Sequence, residues 1–305
     1  MYRHKTLPKG VLTINYPNTN LVSIIIPAKN EGISVYNTLK SLYQSKTNIC
    51  YEVIVVDDHS NDGCCDFIHA DEQTTLIQTN GLGAAMARNI GARNAKGDIL
   101  IFCDAHLFFQ DFWIDRLIEP INKQICDAIN PGISDVYNRK QIGYGYKWNE
   151  RLEAKWNTDL TELSPVPLLA GGCLAVTKIA FEQVGGFEHG FKTWGHEDEE
   201  LSLKLWLFGY SCYVEPDVII MHVFREDEPP FPLSWEDIDY NFLRMAYLHF
   251  NEERLIKCLN FIKHTDSKKI KESVLSGDVL QQRKRYKQIR KYDDDWYMEK
   301  FQIPI

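Results

Sequence analysis

Short apolar runs rich in β-branched residues recur between residues 22 and 135, separated by stretches whose apolar positions return at helical spacing. The runs are Val22–Pro27, Glu52–Val56, Leu76–Thr79, Ile99–Cys103 and Ala128–Ile133. Between them lie the amphipathic segments Ser34–Ser45, with Ser34 as the expected N-cap, Ala84–Ala95 and Phe112–Ile121. Runs without polar alternation predict strands buried on both faces, and their alternation with helices predicts an α/β fold built on a mostly parallel sheet. Ligands bind such sheets beyond the carboxyl ends of the strands. Asp57, Asp58, Asp104 and His106 each follow a run directly, so the pattern sends them to one common edge.

From 136 to 230 the pattern is less regular and richer in Gly, Trp and Tyr. Apolar runs at Leu174–Thr177 and Val218–Val223 read as further strands, and Lys178–Val184 and Glu199–Phe208 as helices, the second stopped by Gly209 in the left-handed region. Beyond Trp235 the spacing is mainly helical. The expected organisation is a catalytic unit over 1–230, with a nucleotide-binding half at about 22–135 and an acceptor half at about 136–230. A helical C-terminal extension over 231–305 follows it.

Composition adds limits. The 305 residues carry 44% hydrophobic side chains and a formal charge of -8, an ordinary globular balance with no basic field to attract nucleic acid. The basic stretch Arg283–Lys291 reads as a solvated helix face, with phosphate or peripheral membrane contact as the lesser alternative. Eight cysteines show no CxxC pair, which fits free thiols in a reducing cytoplasm. The first residues, MYRHKTLPKGVL, lack the apolar core of a signal peptide, and no run approaches the length of a membrane span.

The candidate chemistry concentrates at three places. In ILIFCDAH a buried strand delivers Asp104 and His106 two residues apart. A carboxylate and an imidazole with room for ligand oxygens suit Mn²⁺, with Mg²⁺ as the alternative, better than a closed zinc site. His222, at the end of the run DVIIM, is the candidate third ligand. In TWGHEDEELSLKLW four acids, Glu197 to Glu200, open a helix, where the macrodipole favours negative charge. Acids held there can also accept a proton from an attacking group. Asp57 and Asp58 either cap a turn or bond a ribose or base edge, and the residues alone leave both readings open.

SIIIPAKNEG, VIVVDDHSNDG, GAAMARNIGARNAKGDILIFCDAH and WGHEDEELSLKLWLFG occur in the order seen in family 2 glycosyltransferases of the GT-A fold, which the chain resembles over about residues 22–303. Within that family it is most similar to the catalytic domain of polypeptide N-acetylgalactosaminyltransferases, through Asp104–His106 (DAH), Ala170–Gly172 (AGG), Trp194–Glu197 (WGHE), His222–Arg225 (HVFR), GYKWNERLEAKW and DDWYMEKF. The resemblance implies that Asp104, His106 and His222 bind Mn²⁺ and, through it, a donor diphosphate. It also implies that Pro27, Asn30, Glu31, Asp57 and Arg88 line the nucleotide pocket, that Trp194, Glu197 and Asp198 face sugar and acceptor, and that Arg225 steadies the leaving phosphate.

Two departures shape the expectation. No lectin-like domain or membrane anchor is visible in the chain, which points to a bacterial cytoplasmic enzyme, peripheral at most to a membrane. Where the polypeptide transferases have Glu-Asn, this chain has Glu197-Asp198, as inverting family 2 enzymes do. The expected activity is therefore a metal-dependent, non-processive transfer from a nucleotide-diphosphate sugar, UDP-linked by resemblance, to an acceptor the sequence does not name. Inversion with Asp198 as base leads, and a retaining polypeptide N-acetylgalactosaminyltransferase-like reaction is the alternative. The rivals of another class are a nucleotidyltransferase and a non-catalytic sugar-nucleotide-binding protein.

Overall fold

The computed structural model describes residues 21–225 and 229–305. The first half runs β1 (Leu21–Ala28), α1 (Ser34–Gln44), β2 (Cys50–Asp57), β3 (Thr74–Gln78), α2 (Ala84–Asn94), β4 (Ile99–Cys103), β5 (Leu107–Phe108), α3 (Trp113–Asn122) and β6 (Ala128–Asp135). Then come β7 (Ile142–Gly143), β8 (Tyr146–Trp148), β9 (Ala154–Trp156), β10 (Ser164–Pro165), β11 (Cys173–Thr177), α4 (Lys178–Gln183), α5 (Glu197–Phe208) and β12 (Cys212–His222). Five helices close the chain: α6 (Trp235–His249), α7 (Glu252–Phe261), α8 (Ser267–Leu275), α9 (Val279–Ile289) and α10 (Asp294–Phe301).

The main sheet has the order β10-β12-β6-β11-β4-β1-β2-β3, with β5 beside β12 and β7 beside β6. β4, β1, β2 and β3 are parallel, as their both-face-buried runs predict, and β12 is parallel to β6. β11 runs antiparallel between β4 and β6, so the sheet is mixed. One face packs α1 and α3, and the other packs α2, α4, α5 and the C-terminal helices. This is the three-layer solution for a sheet apolar on both faces. Gly91 lets α2 lie against β1, since a Cβ there would come within 2.3 Å of Ile25 Cγ2.

Helix ends differ in detail from their sequence signals. Ser34 is the first helical residue, Ile33 occupies the cap position, and no side chain caps α1. Thr177 caps α4, accepting from the Ala180 amide, and Gly209 stops α5 at φ 95°. The N-terminal dozen residues read for a signal sequence lie outside the described residues. No helix among the described residues is long and apolar enough to cross a membrane, and all eight cysteines are free.

The C-terminal helices share one hydrophobic cluster with the sheet and α5. Arg283 and Arg290 are not on a solvated face. Arg283 is buried and donates to the carbonyls of Tyr247 and Phe250, and Arg290 donates to that of His249. They satisfy the orphan acceptors at the end of α6, while Lys284, Arg285, Lys287 and Lys291 of the same run stay exposed, as a solvated face requires. Helix α5 is buried nearly all round, and its polar members are paired: Glu200 accepts from Lys204 Nζ at 2.9 Å and contacts His249 Nε2 at 2.8 Å. Replacing Lys204 by Met keeps the volume but removes one partner of a fully buried carboxylate. Urea unfolding of Lys204→Met is expected to show a loss of about 3–5 kcal/mol; a change near zero would show that Glu200 is satisfied by His249 alone.

Candidate active site

The carboxyl edge of β4, the β5–β12 pair and the start of α5 meet at one open cleft of about 1350 Å³. The end that could hold a metal ion is built by strand pairing. Asp104 follows β4 and is fixed by its amide bond to the Gly172 carbonyl. Antiparallel pairing of β5 with β12 sets His222 opposite Leu107, and the Val223 amide donates to the His106 carbonyl. His222 is thus delivered beside His106 from 118 residues beyond Asp104.

Asp104 Oδ2 lies 3.3 Å from His222 Nε2 and 4.0 Å from His106 Nε2. One ligand atom from each of the three falls within 4.8 Å of the others, the arrangement of residues that can hold a metal ion. Two imidazole nitrogens and one carboxylate leave coordination positions for oxygen ligands, so the donor set fits an open divalent site. Glu31 contacts His106 Nδ1 at 3.1 Å, the orienting carboxylate that metal-bound histidines usually have. Burial raises the Asp104 carboxyl, but the His222 contact and the Arg88 and His106 charges outweigh it and hold it well below the usual carboxylate range.

Arg88, on α2 and only 5% exposed, donates to Asp104 Oδ1 at 3.0 Å and to Glu197 Oε1 at 3.2 Å. Glu197 Oε2 accepts from the Gly195 amide. Asp198 accepts from the amides of Gly171 and Glu199. Burial, with the neighbouring charges of Glu197 and Glu199, pushes its carboxyl up to about 7. Four acids in a row therefore have four settings: Glu200 is paired with Lys204, Glu197 is tied to Arg88, Asp198 accepts two backbone amides, and Glu199 lies between Trp148 and His196.

Of the expected binding residues, Pro27, Glu31, Arg88, Asp104, Trp194 and Arg225 line the cleft together with Glu197, Asp198, His106 and His222. Trp194 stands 45% exposed at its mouth, and Arg225 pairs with Glu31. Asn30 and Asp57 do not line it. Asp57 accepts from the Ser60 amide, the turn-capping alternative, while Asn30 accepts from the Asn61 amide and donates to the Pro230 carbonyl. Asp58 does reach the cleft, yet it is occupied by Thr79 Oγ1 and the Leu82 and Gly83 amides, which shape the loop before α2. Among the residues around this site to which sequence reasoning gave no role are Lys29, Tyr146, Trp156 and His196. Tyr146 and Trp156 face each other across the β8–β9 hairpin at 4.2 Å. Each strand of that hairpin is one apolar–Lys–apolar triplet, Tyr146-Lys147-Trp148 and Ala154-Lys155-Trp156, shorter than the four to eight residues over which alternation reads as a strand.

The chain belongs to glycosyl transferase family 2, whose model matches residues 23–185. A second model, the N-terminal domain of galactosyltransferase, matches residues 158–223. Among curated relatives, the N-acetylgalactosaminyltransferase 6 of Drosophila melanogaster is 29% identical over 91% of this chain and 44% of its own. The polypeptide N-acetylgalactosaminyltransferase 3 of Homo sapiens is 26% identical over 92% and 49%. The chain spans about half the length of these relatives. Their animal origin gives no support to the expectation of a bacterial enzyme.

Among solved structures, GalNAc-T7 with UDP, GalNAc and Mn²⁺ superposes with a TM-score of 0.73 at 21% identity, covering 94% of this chain and 57% of that one. Staphylococcus aureus TarS 1-349 in complex with UDP-GlcNAc gives 0.57 at 19%, covering 86% and 72%. The shared fold is the GT-A fold the sequence motifs imply.

Mn²⁺ titrated into the protein and followed by electron paramagnetic resonance is expected to be taken up at one site. Glu31→Gln should weaken uptake about 10–100-fold by freeing the His106 ring, and Asp104→Asn should weaken it further. Undiminished uptake by Asp104→Asn would place the ion elsewhere.

Proposed function

We propose that this protein transfers a sugar from a UDP-linked donor to a hydroxyl acceptor with the help of Mn²⁺ held by Asp104, His106 and His222. The observation that carries the reading is that these three residues and the acids opening α5 stand in one cleft, bridged by Arg88. Family membership and the names of the relatives support it, and they favour N-acetylgalactosamine as the sugar and a peptide hydroxyl as acceptor. When bound, the metal neutralises the diphosphate and stabilises the charge left on the departing nucleotide. Arg225 and Lys29 supply positive charge at the same end, Pro27 borders the nucleotide, and Trp194 covers the sugar from the mouth. The residues named for this site lie between Pro27 and Arg225, and Trp235 and Ile238 of α6 add to the wall of the cleft.

Asp198 takes the proton of the attacking hydroxyl. A carboxyl pushed up to about 7 is a base matched to neutral pH and works in its ionised form. In-line attack with such a base inverts the anomeric centre. A retaining reaction is favoured by a different observation, the similarity to the polypeptide transferases, and needs no carboxylate at this position. The chain's place among glycosyltransferases argues against nucleotidyl transfer, as does the sequence AKNEG after β1 in place of a glycine-rich basic loop.

The test is a Mn²⁺-supplemented screen of nucleotide sugars for hydrolysis and for transfer to serine- and threonine-containing peptides. Release of UDP from UDP-N-acetylgalactosamine is expected; release of pyrophosphate from a nucleoside triphosphate instead would sink the reading. The rate should rise with pH through a limb near 7, because protonated Asp198 cannot accept a proton, and Asp198→Asn should lose that limb together with about 10²–10⁴-fold in rate. Proton NMR of the first-formed product distinguishes the anomers. A product that retains the donor's configuration would remove Asp198 from the role of base while leaving the donor and metal assignments intact.

A further inference from the structure

His196 sits one residue before α5 with φ 66°, a left-handed conformation rare outside glycine and asparagine. The conformation turns the ring back over the first turn of the helix, where Nδ1 lies 3.0 Å from Glu199 Oε1. Glu199 is itself anchored, since its other oxygen accepts from the indole of Trp148 on β8 at 2.5 Å. The ring packs on Phe242 of α6 at 5.4 Å, and Asn241 of the same helix holds the Gly195 carbonyl. Three elements thus fix an imidazole whose residue lines the transfer cleft. Nδ1 engaged by a carboxylate carries the proton of the neutral ring, which leaves Nε2 as the acceptor. Nε2 makes no hydrogen bond among the described residues.

We propose that His196, oriented by Glu199, is a second proton acceptor of the transfer site, receiving at Nε2 the proton that leaves the attacking hydroxyl. The proposal rests on the transfer reading above and adds a residue that reading does not use. The step balances. The O–H bond of the acceptor, or of water in hydrolysis, breaks as its oxygen bonds to the anomeric carbon. The bond from that carbon to the diphosphate oxygen breaks with its electron pair leaving on UDP. The proton passes by way of Asp198 to His196 Nε2 and from there to solvent.

The electrostatic setting agrees. Burial lowers the basicity of His196, but the charges of Glu199, Asp198 and Glu197 outweigh it and raise its pKa above the ordinary value. From other elements, Arg88 of α2 faces Glu197, and the Tyr146 phenol of β8 lies in the field of Asp198 and Glu199. The charge of Asp198 is among those that raise His196, so the two groups, within one helical turn, do not titrate independently. Such a pair gives the proton an exit that does not leave it beside Glu197.

The experiment is hydrolysis of UDP-N-acetylgalactosamine in the presence of Mn²⁺, read as UDP release by the whole chain. His196→Gly suits the left-handed backbone and opens space for a small base. It is expected to lose about 10²-fold in rate, with added imidazole restoring activity increasingly as pH rises through the pKa of free imidazole. His196→Asn, which also tolerates this backbone conformation, should be as slow, with its apparent KM for the donor unchanged. Either variant within about threefold of the wild type, or a slow His196→Gly that imidazole does not revive, would overturn the proposal, because a purely structural ring is not replaced by free imidazole. A wild-type protein that releases no UDP would instead overturn the transfer reading, and this proposal with it.

Discussion

A single buried guanidinium joins the two ends of the site. Arg88 reaches Asp104 with one nitrogen and Glu197 with the other, so the candidate metal-binding edge of the sheet and the first turn of α5 are held at a fixed separation. Only arginine spans two carboxylates in this way, because its fork presents donors in a plane of fixed geometry, whereas a lysine would bind one and desert the other. Removing one partner from such a set leaves charge buried without compensation, which costs more than the pair contributes when intact. The position of Arg88 depends in turn on α2 lying close against β1, and that depends on Gly91 facing Ile25. Packing in the core thereby sets a distance in the cleft.

The first two turns of α5 are fixed by a different set of charges. Glu200 and Lys204 are buried together, with His249 of α6 as third member. Nearby, Arg244 of α6 donates to Glu188, and Gln282 of α9 donates to the same carboxylate. Buried pairs are weak evidence for stability. Their consequence here is registry: His249 of α6 holds α5 at Glu200, while Arg244 and Gln282 hold Glu188 in the segment that leads into it. The acids at its start then point into the cleft rather than around the helix. A helix with apolar residues on every side has no amphipathic stripe to set its rotation, so polar contacts take over that task.

Most of the architecture was legible because it is local. Continuous apolar runs gave β1, β2, β4 and β6 nearly to their ends, and helical spacing gave α1, α2 and α3. Asp104 and His106 were legible for the same reason, lying two residues apart at the end of one strand. His222 was found as a plausible ligand, but its meeting with them depends on a strand pair formed across more than a hundred residues, which no local pattern encodes. Asn30 and Asp57 occupy sequence positions that invite ligand contact, and the fold gives them turn amides instead, since short polar side chains beside a turn bond the nearest unpaired backbone. GYKWNERLEAKW and WGHE stood out as motifs, but the pairing of β8 with β9, the setting of His196 and the inward turn of Arg283 were not legible, because each is decided by what packs opposite.

The acid run at α5 shows how far one physical reading can mislead when applied to a group. Four carboxylates at a helix start satisfy the macrodipole argument collectively, yet the protein uses each differently. Glu200 neutralises a buried lysine, Glu197 answers Arg88, and Glu199 stands between an indole and an imidazole. Asp198 alone has no cationic partner in contact. Its two oxygens accept backbone amides, which favour the ionised form, while burial and its acidic neighbours favour the neutral one. The balance between these opposing effects is what places it near neutrality. A carboxylate salted by arginine at that position would be ionised and weakly basic, and one buried without amide donors would stay protonated. The Gly171 amide before β11 and the Glu199 amide of the first turn supply the middle case, because N–H groups stabilise charge without carrying a full charge of their own.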